Sequence, residues 1–201
     1  LIFSTAYLPL IGGAEIAVKE LTDRISGCEF DLITARIDRK LPKFEKLGRV
    51  NVYRVGLGCQ LDKFLLPFLG LGRALGLDKA NHYQIIFSLM ASQASIAAAW
   101  FKILNPEKKL LLNLQEGDEE EHLKRYALGS DWLYDWLIRP WHLLVFKKAD
   151  LVIAISGYLK QRALANGVKR KIEIVPNGVN VNKFSIFNFQ FSINDIKNNL
   201  G

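Results

Sequence analysis

Seven short apolar runs recur along the chain with helical stretches between them, and this rhythm limits the fold more than any single motif. Leu1–Thr5 (LIFST), Phe30–Ala35 (FDLITA), Val50–Val55 (VNVYRV), Tyr83–Leu89 (YQIIFSL), Lys109–Leu114 (KLLLNL), Asp150–Ile155 (DLVIAI) and Lys171–Pro176 (KIEIVP) read as strands. Several are apolar throughout, as expected of strands covered by helices on both faces of a sheet. Helical spacing fills the gaps. Ala14–Ile25 places Ile16, Ala17, Leu21 and Ile25 on one face, and Gln93–Leu104, Asp131–Lys148 and Gly157–Asn166 follow. The alternation predicts a doubly wound, largely parallel, Rossmann-like α/β sheet that binds ligands at the carboxyl ends of its strands. From Ser185 the rhythm gives way to an Asn-rich stretch. Residues 1–184 are therefore read as one domain, and 185–201 as a linker or the start of a second domain.

Half of the 201 residues are hydrophobic and 23% are charged, enough apolar surface for a buried core. No apolar run approaches the ~18–20 residues of a membrane-spanning helix, and no secretory signal is visible at the amino end. Cys28 and Cys59 fit no metal or redox spacing and read as buried thiols of a reducing compartment. The net charge of +7 suits an anionic partner. No basic stripe with interleaved aromatics and no zinc-finger or RNP-like pattern accompanies it, which disfavours nucleic acid.

Three places near strand ends carry candidate chemistry. Gly12-Gly13 lies between the first strand and the first helix, where backbone amides and the helix dipole favour an anion. Glu15 follows in the first helical turn, favourable there for its charge alone. The acidic loop after Lys109–Leu114 holds Gln115, Glu116 and Asp118, suited to hydrogen-bonding hydroxyls, and beyond them a solvated run of glutamates. His122 in the same loop lacks a metal partner in the sequence. Ser156 opens the helix after Asp150–Ile155 and reads as an N-cap, since neither S-x-x-K nor G-x-S-x-G surrounds it. Asn177-Gly178 reads as a turn after the last strand. Two other glycine clusters, Gly56–Leu61 and Gly70–Gly76, lack the third glycine or the preceding strand that a dinucleotide fingerprint needs, so nicotinamide and flavin sites are rejected.

The early GGAE, the strand-to-cap ADLVIAIS and the segment IEIVPNGVNVNKF, in this order along Leu1–Phe184, resemble the family 4 glycosyltransferases of the GT-B fold. The resemblance implies an N-terminal, acceptor-side domain, with a second domain holding most of a nucleotide-sugar donor. It implies transfer of a sugar to an acceptor hydroxyl, with retention at the anomeric carbon and without a metal. Gly12, Gly13, Glu15, Gln115, Glu116, Asp118, Ser156, Asn177 and Gly178 are the positions it points to for donor or acceptor binding. Gln115 stands where many relatives carry a histidine. A glutamine can bind a sugar hydroxyl but cannot shuttle a proton at neutral pH, so no catalytic residue is assigned.

Leu61–Leu77 and Asp131–Lys148 combine aliphatic and aromatic residues with flanking cations. They read either as core-packing helices or as segments lying against an anionic membrane, the latter suiting a lipid-linked acceptor on the cytoplasmic side. Two further readings stay open. One is a non-catalytic binding module that works with a partner chain; the other is a sugar-nucleotide epimerase, for which Asp118 is the one hint.

Overall fold

The computed structural model describes residues 1–115 and 139–178. Among them the order is β1 (Ile2–Phe3), α1 (Gly13–Arg24), β2 (Phe30–Ala35), β3 (Phe44–Leu47), β4 (Val50–Val55), α2 (Asp62–Asn81), β5 (Ile85–Leu89), α3 (Gln93–Leu104), β6 (Lys109–Leu114), α4 (Arg139–Lys148), β7 (Leu151–Ala154), α5 (Gly157–Ala165) and β8 (Lys171–Ile174). The strands form one sheet in the order β3-β4-β2-β1-β5-β6-β7-β8. All neighbours are parallel except β3, which pairs antiparallel with β4. The doubly wound parallel sheet expected from the rhythm of the sequence is present.

Alternate residues of each strand serve opposite faces, so two layers of core form. On one face Val18 of α1 packs with Ile2, Leu32, Val50, Val52 and Leu89. On the other, α2 and α3 cover Phe3, Ile33, Ile86 and Leu110 with Leu66, Ala74, Ala97 and Phe101. α4 and α5 extend that second layer over Leu112, Leu114, Val152 and Ala154. Each such buried Leu, Ile or Phe contributes roughly 1.5–3 kcal/mol of apolar burial.

Three differences from the sequence reading have local causes. β3 was not expected: FEKL carries two charges, and as an edge strand it is largely exposed. The α1 face was assigned to Ile16, Ala17, Leu21 and Ile25, yet Val18 and Thr22 are the deep positions, while Ile16, Leu21 and Ile25 are exposed. Thr22 tolerates burial because its hydroxyl donates to the Val18 and Lys19 carbonyls, both at 3.0 Å. Cys28 is exposed and Cys59 only half-buried, so neither is the buried thiol expected.

α2 runs for 20 residues despite Pro67 and three glycines. One glycine has a packing role. A Cβ on Gly70 would stand 3.3 Å from Ala97 Cβ and 3.4 Å from Leu66 Cδ1, so the bare backbone lets α2 lie close on α3. Gly72, two residues on, faces open space. Gly70→Leu is expected to lower the unfolding free energy by roughly 1–3 kcal/mol through overpacking. Gly72→Ala should raise it by about 0.5–1 kcal/mol through helix propensity. Urea titrations of the two variants check both signs.

Candidate functional site

The direction of winding reverses at β1. From it the chain steps through β2 to β4 on one side and returns to β5, β6, β7 and β8 on the other. At such a switch the loops above adjacent strands diverge and leave a crevice at the carboxyl edge. Its two sides are held together by Thr5, just past β1, whose hydroxyl donates to Ser92 Oγ at the start of α3 (2.9 Å). Met90, at the tip of β5, adopts φ +60, a left-handed conformation rarely used by a side chain of this size. Its N–H donates to the Asn113 carbonyl (2.8 Å) and its own carbonyl accepts from Ser95 Oγ, so bonds on both sides hold it.

Gly12 and Gly13 stand on this edge. Gly12 is the N-cap of α1, in an extended conformation, and no side chain caps the helix. Glu15 is buried and folds back so that its Oε2 would lie 2.5 Å from a Cβ on Gly12. Nothing approaches the corresponding position on Gly13. One side of the turn is thus covered by its own carboxylate and the other is open.

The loop carrying this turn is anchored by Arg54, a residue the sequence reading passed over. Arg54 shares its face of β4 with Val50 and Val52 and is buried. Its guanidinium donates to the Leu8 carbonyl (2.6 Å) and the Pro42 carbonyl (3.2 Å) and pairs with Glu45 of β3. One buried cation therefore ties the segment ahead of Gly12 to the edge hairpin. The signal in the sequence was the arginine in phase with two valines in VNVYRV. Arg54→Met should cost about 2–4 kcal/mol, because two carbonyls and a carboxylate lose their donor. Arg54→Lys should cost less. Thermal melts of the two variants compare these directly.

Two strands from β1, at the end of β6, three carboxamides meet. Gln115, just past β6, donates through Nε2 to Asn113 Oδ1 and to Asn177 Oδ1, both at 3.1 Å. Asn177 Nδ2 returns a bond to Gln115 Oε1 (2.6 Å), closing a reciprocal pair across 62 residues of chain. Both hydrogens of Gln115 are used. Among the described residues, Asn177 keeps one spare N–H, and each side-chain oxygen keeps a spare lone pair. A hydroxyl, which donates and accepts, fits that remainder. The cluster caps a cleft of ≈ 320 Å³ with Gly178 at its rim, Phe87, Ile153 and Val175 as apolar floor, and Ala17 and Leu21 of α1 as wall.

Not every predicted position joins this arrangement. Ser156 caps α5, accepting from Leu159 N–H (3.3 Å), as its sequence context suggested. Glu116 and Asp118 lie outside the described residues, as do the glutamates after them and His122. The structure brings Gln115, Asn177 and Gly178 together; Gly12 and Gly13 share their edge of the sheet without touching them. Among the described residues, no group of three or more His, Cys, Asp or Glu side chains could hold a metal.

The rejected cluster Gly56–Leu61 has its own occupant. Asp62 is fully buried and accepts from the N–H groups of Leu57 (3.0 Å), Gly58 (2.6 Å) and Cys59 (3.1 Å). These amides form an anion-binding turn filled by the chain's own carboxylate. Burial alone would raise the Asp62 pKa, but the three amides together hold it below its ordinary value. A depressed folded-state pKa adds stability above the unfolded value, near 3.8, that is lost as pH falls through the lower folded value. Asp62→Asn should therefore lose stability at pH 7, and the gap from the parent should narrow as pH falls below the unfolded value near 3.8. Urea midpoints across this pH range measure the difference.

The sheet order and the reversal at β1 define an α/β fold that resembles the GT-B glycosyltransferases. Over the fold, the chain is similar to a sucrose-phosphate synthase from Thermosynechococcus elongatus, with TM-score 0.60 and 16% identity, covering 85% of this chain and 44% of that one. A shorter form of the same synthase gives TM-score 0.58 and 16% identity over 97% of both chains. Residues 11–183 match the sequence profile of Glycosyltransferase Family 4, and the chain belongs to that family. An uncharacterized glycosyltransferase of Methanocaldococcus jannaschii is 30% identical over 193 residues, covering 91% of this chain and 48% of its own length. The chain thus spans about half the length of that relative.

Proposed function

We propose that this chain is the acceptor-side half of an enzyme that moves a sugar from a nucleotide-sugar to an acceptor hydroxyl. Retention at the anomeric carbon, a hexose as the transferred sugar, and a place in polysaccharide or glycolipid synthesis at the inner face of a membrane complete the reading. The observation that carries it is the Asn113–Gln115–Asn177 cluster at the carboxyl edge, with donor and acceptor capacity left over for one hydroxyl.

In the reaction, the bond from the anomeric carbon to the diphosphate oxygen breaks and one to the acceptor oxygen forms, while the acceptor's proton departs. The Gly13 N–H, in the first turn of α1, offers a hydrogen bond toward the leaving diphosphate, where preorganised donors lower the barrier most. Gln115 and Asn177 orient a sugar or acceptor hydroxyl, with Glu116 beside them in sequence. A carboxamide has no proton to take up or release at neutral pH, so this cluster positions and does not act as a base. The second domain supplies the remaining groups. Separated from it, this half is inactive.

The test uses the full-length protein and a panel of nucleotide-sugars. A ligand that binds the folded state alone raises the melting temperature, and the rise grows with the logarithm of its concentration relative to Kd. At least one nucleotide-sugar should do so. Gln115→Ala should weaken that binding or the acceptor's KM by about 5–30-fold, the worth of one or two hydrogen bonds. Absence of stabilisation by every nucleotide-sugar would remove the enzymatic reading and favour a binding module.

A further inference from the structure

A buried carboxylate is normally met by a cation or by several hydrogen-bond donors, because removing an unmet charge from water is unfavourable. Among the described residues three acids are buried, and two of them follow that rule. Asp62 accepts from the N–H groups of Leu57, Gly58 and Cys59. Asp31, on β2, accepts from Asn51, Asn81 and Tyr83. Glu15 is the exception. It is 7% exposed, and among the described residues its carboxylate has neither an ion pair nor a hydrogen bond. Lys19, one turn along α1, is paired with Asp23. Arg54, the buried cation that anchors the loop ahead of the turn, is bonded to the Leu8 and Pro42 carbonyls and to Glu45.

This unmet charge lies against the glycine turn. Glu15 Oε2 stands 2.5 Å from the place of a Cβ on Gly12, and Gly13 follows, exposed, at the uncapped start of α1. Bond lengths then keep any oxygen that accepts from the Gly13 N–H within about 9 Å of that carboxylate oxygen. A fixed negative charge so close weakens the binding of an anion, and weakens it more for each further charge the anion carries. At that distance one extra elementary charge changes affinity about twofold in water and about twentyfold at the lower effective dielectric of a protein cleft. The α1 dipole, worth about half a positive charge at its start, offsets only part of this.

The proposed transfer changes the charge at this point. When the bond from the anomeric carbon breaks, its electron pair stays on the diphosphate oxygen. A nucleotide-sugar with two charges on its diphosphate therefore leaves a nucleoside diphosphate with about three at neutral pH. We propose that Glu15 is a specificity-determining residue that sets the nucleotide-sugar above its own product. Its unmet carboxylate penalises the released nucleoside diphosphate more than the substrate and so favours product departure. The inference rests on the proposed function, in which Gly13 faces the diphosphate.

Titration calorimetry of the full-length protein tests it with UDP and UDP-glucose, GDP and GDP-mannose, and ADP and ADP-glucose. For the pair that binds, the quantity read is the diphosphate Kd divided by the nucleotide-sugar Kd. Glu15→Gln keeps the shape of the side chain and should lower that ratio about 3–20-fold, chiefly by tightening the diphosphate. Glu15→Asp keeps the charge and should stay near the parent ratio. Glu29→Gln removes the same charge just ahead of β2, where Glu29 pairs with Lys46, and should leave the ratio unchanged. A merely structural role for Glu15 would alter both constants, or the melting temperature, without moving their ratio. A ratio in Glu15→Gln that rises, or stays within about twofold of the parent, overturns the proposal; if that variant does not fold, Glu15→Met is read in its place. Binding of a nucleotide-sugar with an unmoved ratio removes the role of Glu15 and keeps the enzymatic reading. Binding of none of the nucleotide-sugars removes both.

Discussion

The candidate site takes its position from the two-residue strand Ile2–Phe3, which bonds to a parallel neighbour on each side. Because the chain winds away from it in one direction and comes back in the other, the loops above it part. The same strand determines which backbone surrounds the opening. The Ser4 N–H still reaches the Ile33 carbonyl (3.1 Å), but past Thr5 the chain leaves the sheet and turns through Gly12 into α1. A longer β1 would close the crevice with its own continuation. Its brevity, with Thr5 bridged to Ser92, keeps the edge open and of fixed width.

Two glycine-rich turns follow strands on this edge, and sequence alone separates them only in part. Both expose several amides in a short space. At Gly56–Cys59 the amides converge on Asp62, and positive φ at Gly56 and Gly58 shapes the turn around that carboxylate. A ligand anion would have to displace a buried, triply bonded group. At Gly12-Gly13 the chain's own carboxylate covers one residue and leaves the next bare. What distinguishes a structural anion hole from an available one is therefore the acid that follows at helical spacing, and whether it is long enough to swing aside. Asp62 is short and locked; Glu15 has one more rotatable bond but is buried, so opening that side carries a packing cost.

The sheet was legible because its strands leave either a near-continuous apolar run, as in Phe30–Ala35, or a period-two pattern, as in Val50–Val55, and these and Lys109–Leu114 coincide with observed strands to the residue. Elements whose burial is one-sided or partial were less visible. β3 pairs along one edge and carries Glu45 and Lys46, so nothing in its composition announces a strand. In α1 the exposed Ile16 and Leu21 mimic a buried face, because part of that helix borders an open cleft and not a packed layer. Among the candidate positions, Gln115 was singled out from its place at a strand end, and the capping role of Ser156, which lies outside the cluster, was read from its sequence context. The pairing of Gln115 with Asn177 was not, since a contact across 62 residues leaves no local trace. Arg54 was missed for the opposite reason. Its phase in β4 was visible, but a buried arginine makes sense only once the carbonyls of Leu8 and Pro42 and the carboxylate of Glu45 are known to converge on it.

The carboxamide cluster also bears on how a ligand could enter. An amide–amide hydrogen bond at a partly exposed position is worth little net free energy, because water or a hydroxyl replaces either partner nearly as well. Asn177 is exposed and lies beyond the last strand, whereas Asn113 and Gln115 are fixed by β6. The pair can therefore open on the Asn177 side at small cost while Gln115 keeps its bond to Asn113 and its orientation. A charged pair at the same place would hold the cleft shut more strongly and would demand a charged ligand. Neutral amides instead favour neutral, hydroxyl-bearing ligands, while the charges that line the same cleft, Glu20 and Arg24 of α1, are paired with each other. Under the proposed transfer, these three side chains at the ends of β6 and β8 would therefore meet a hydroxyl and not a phosphate.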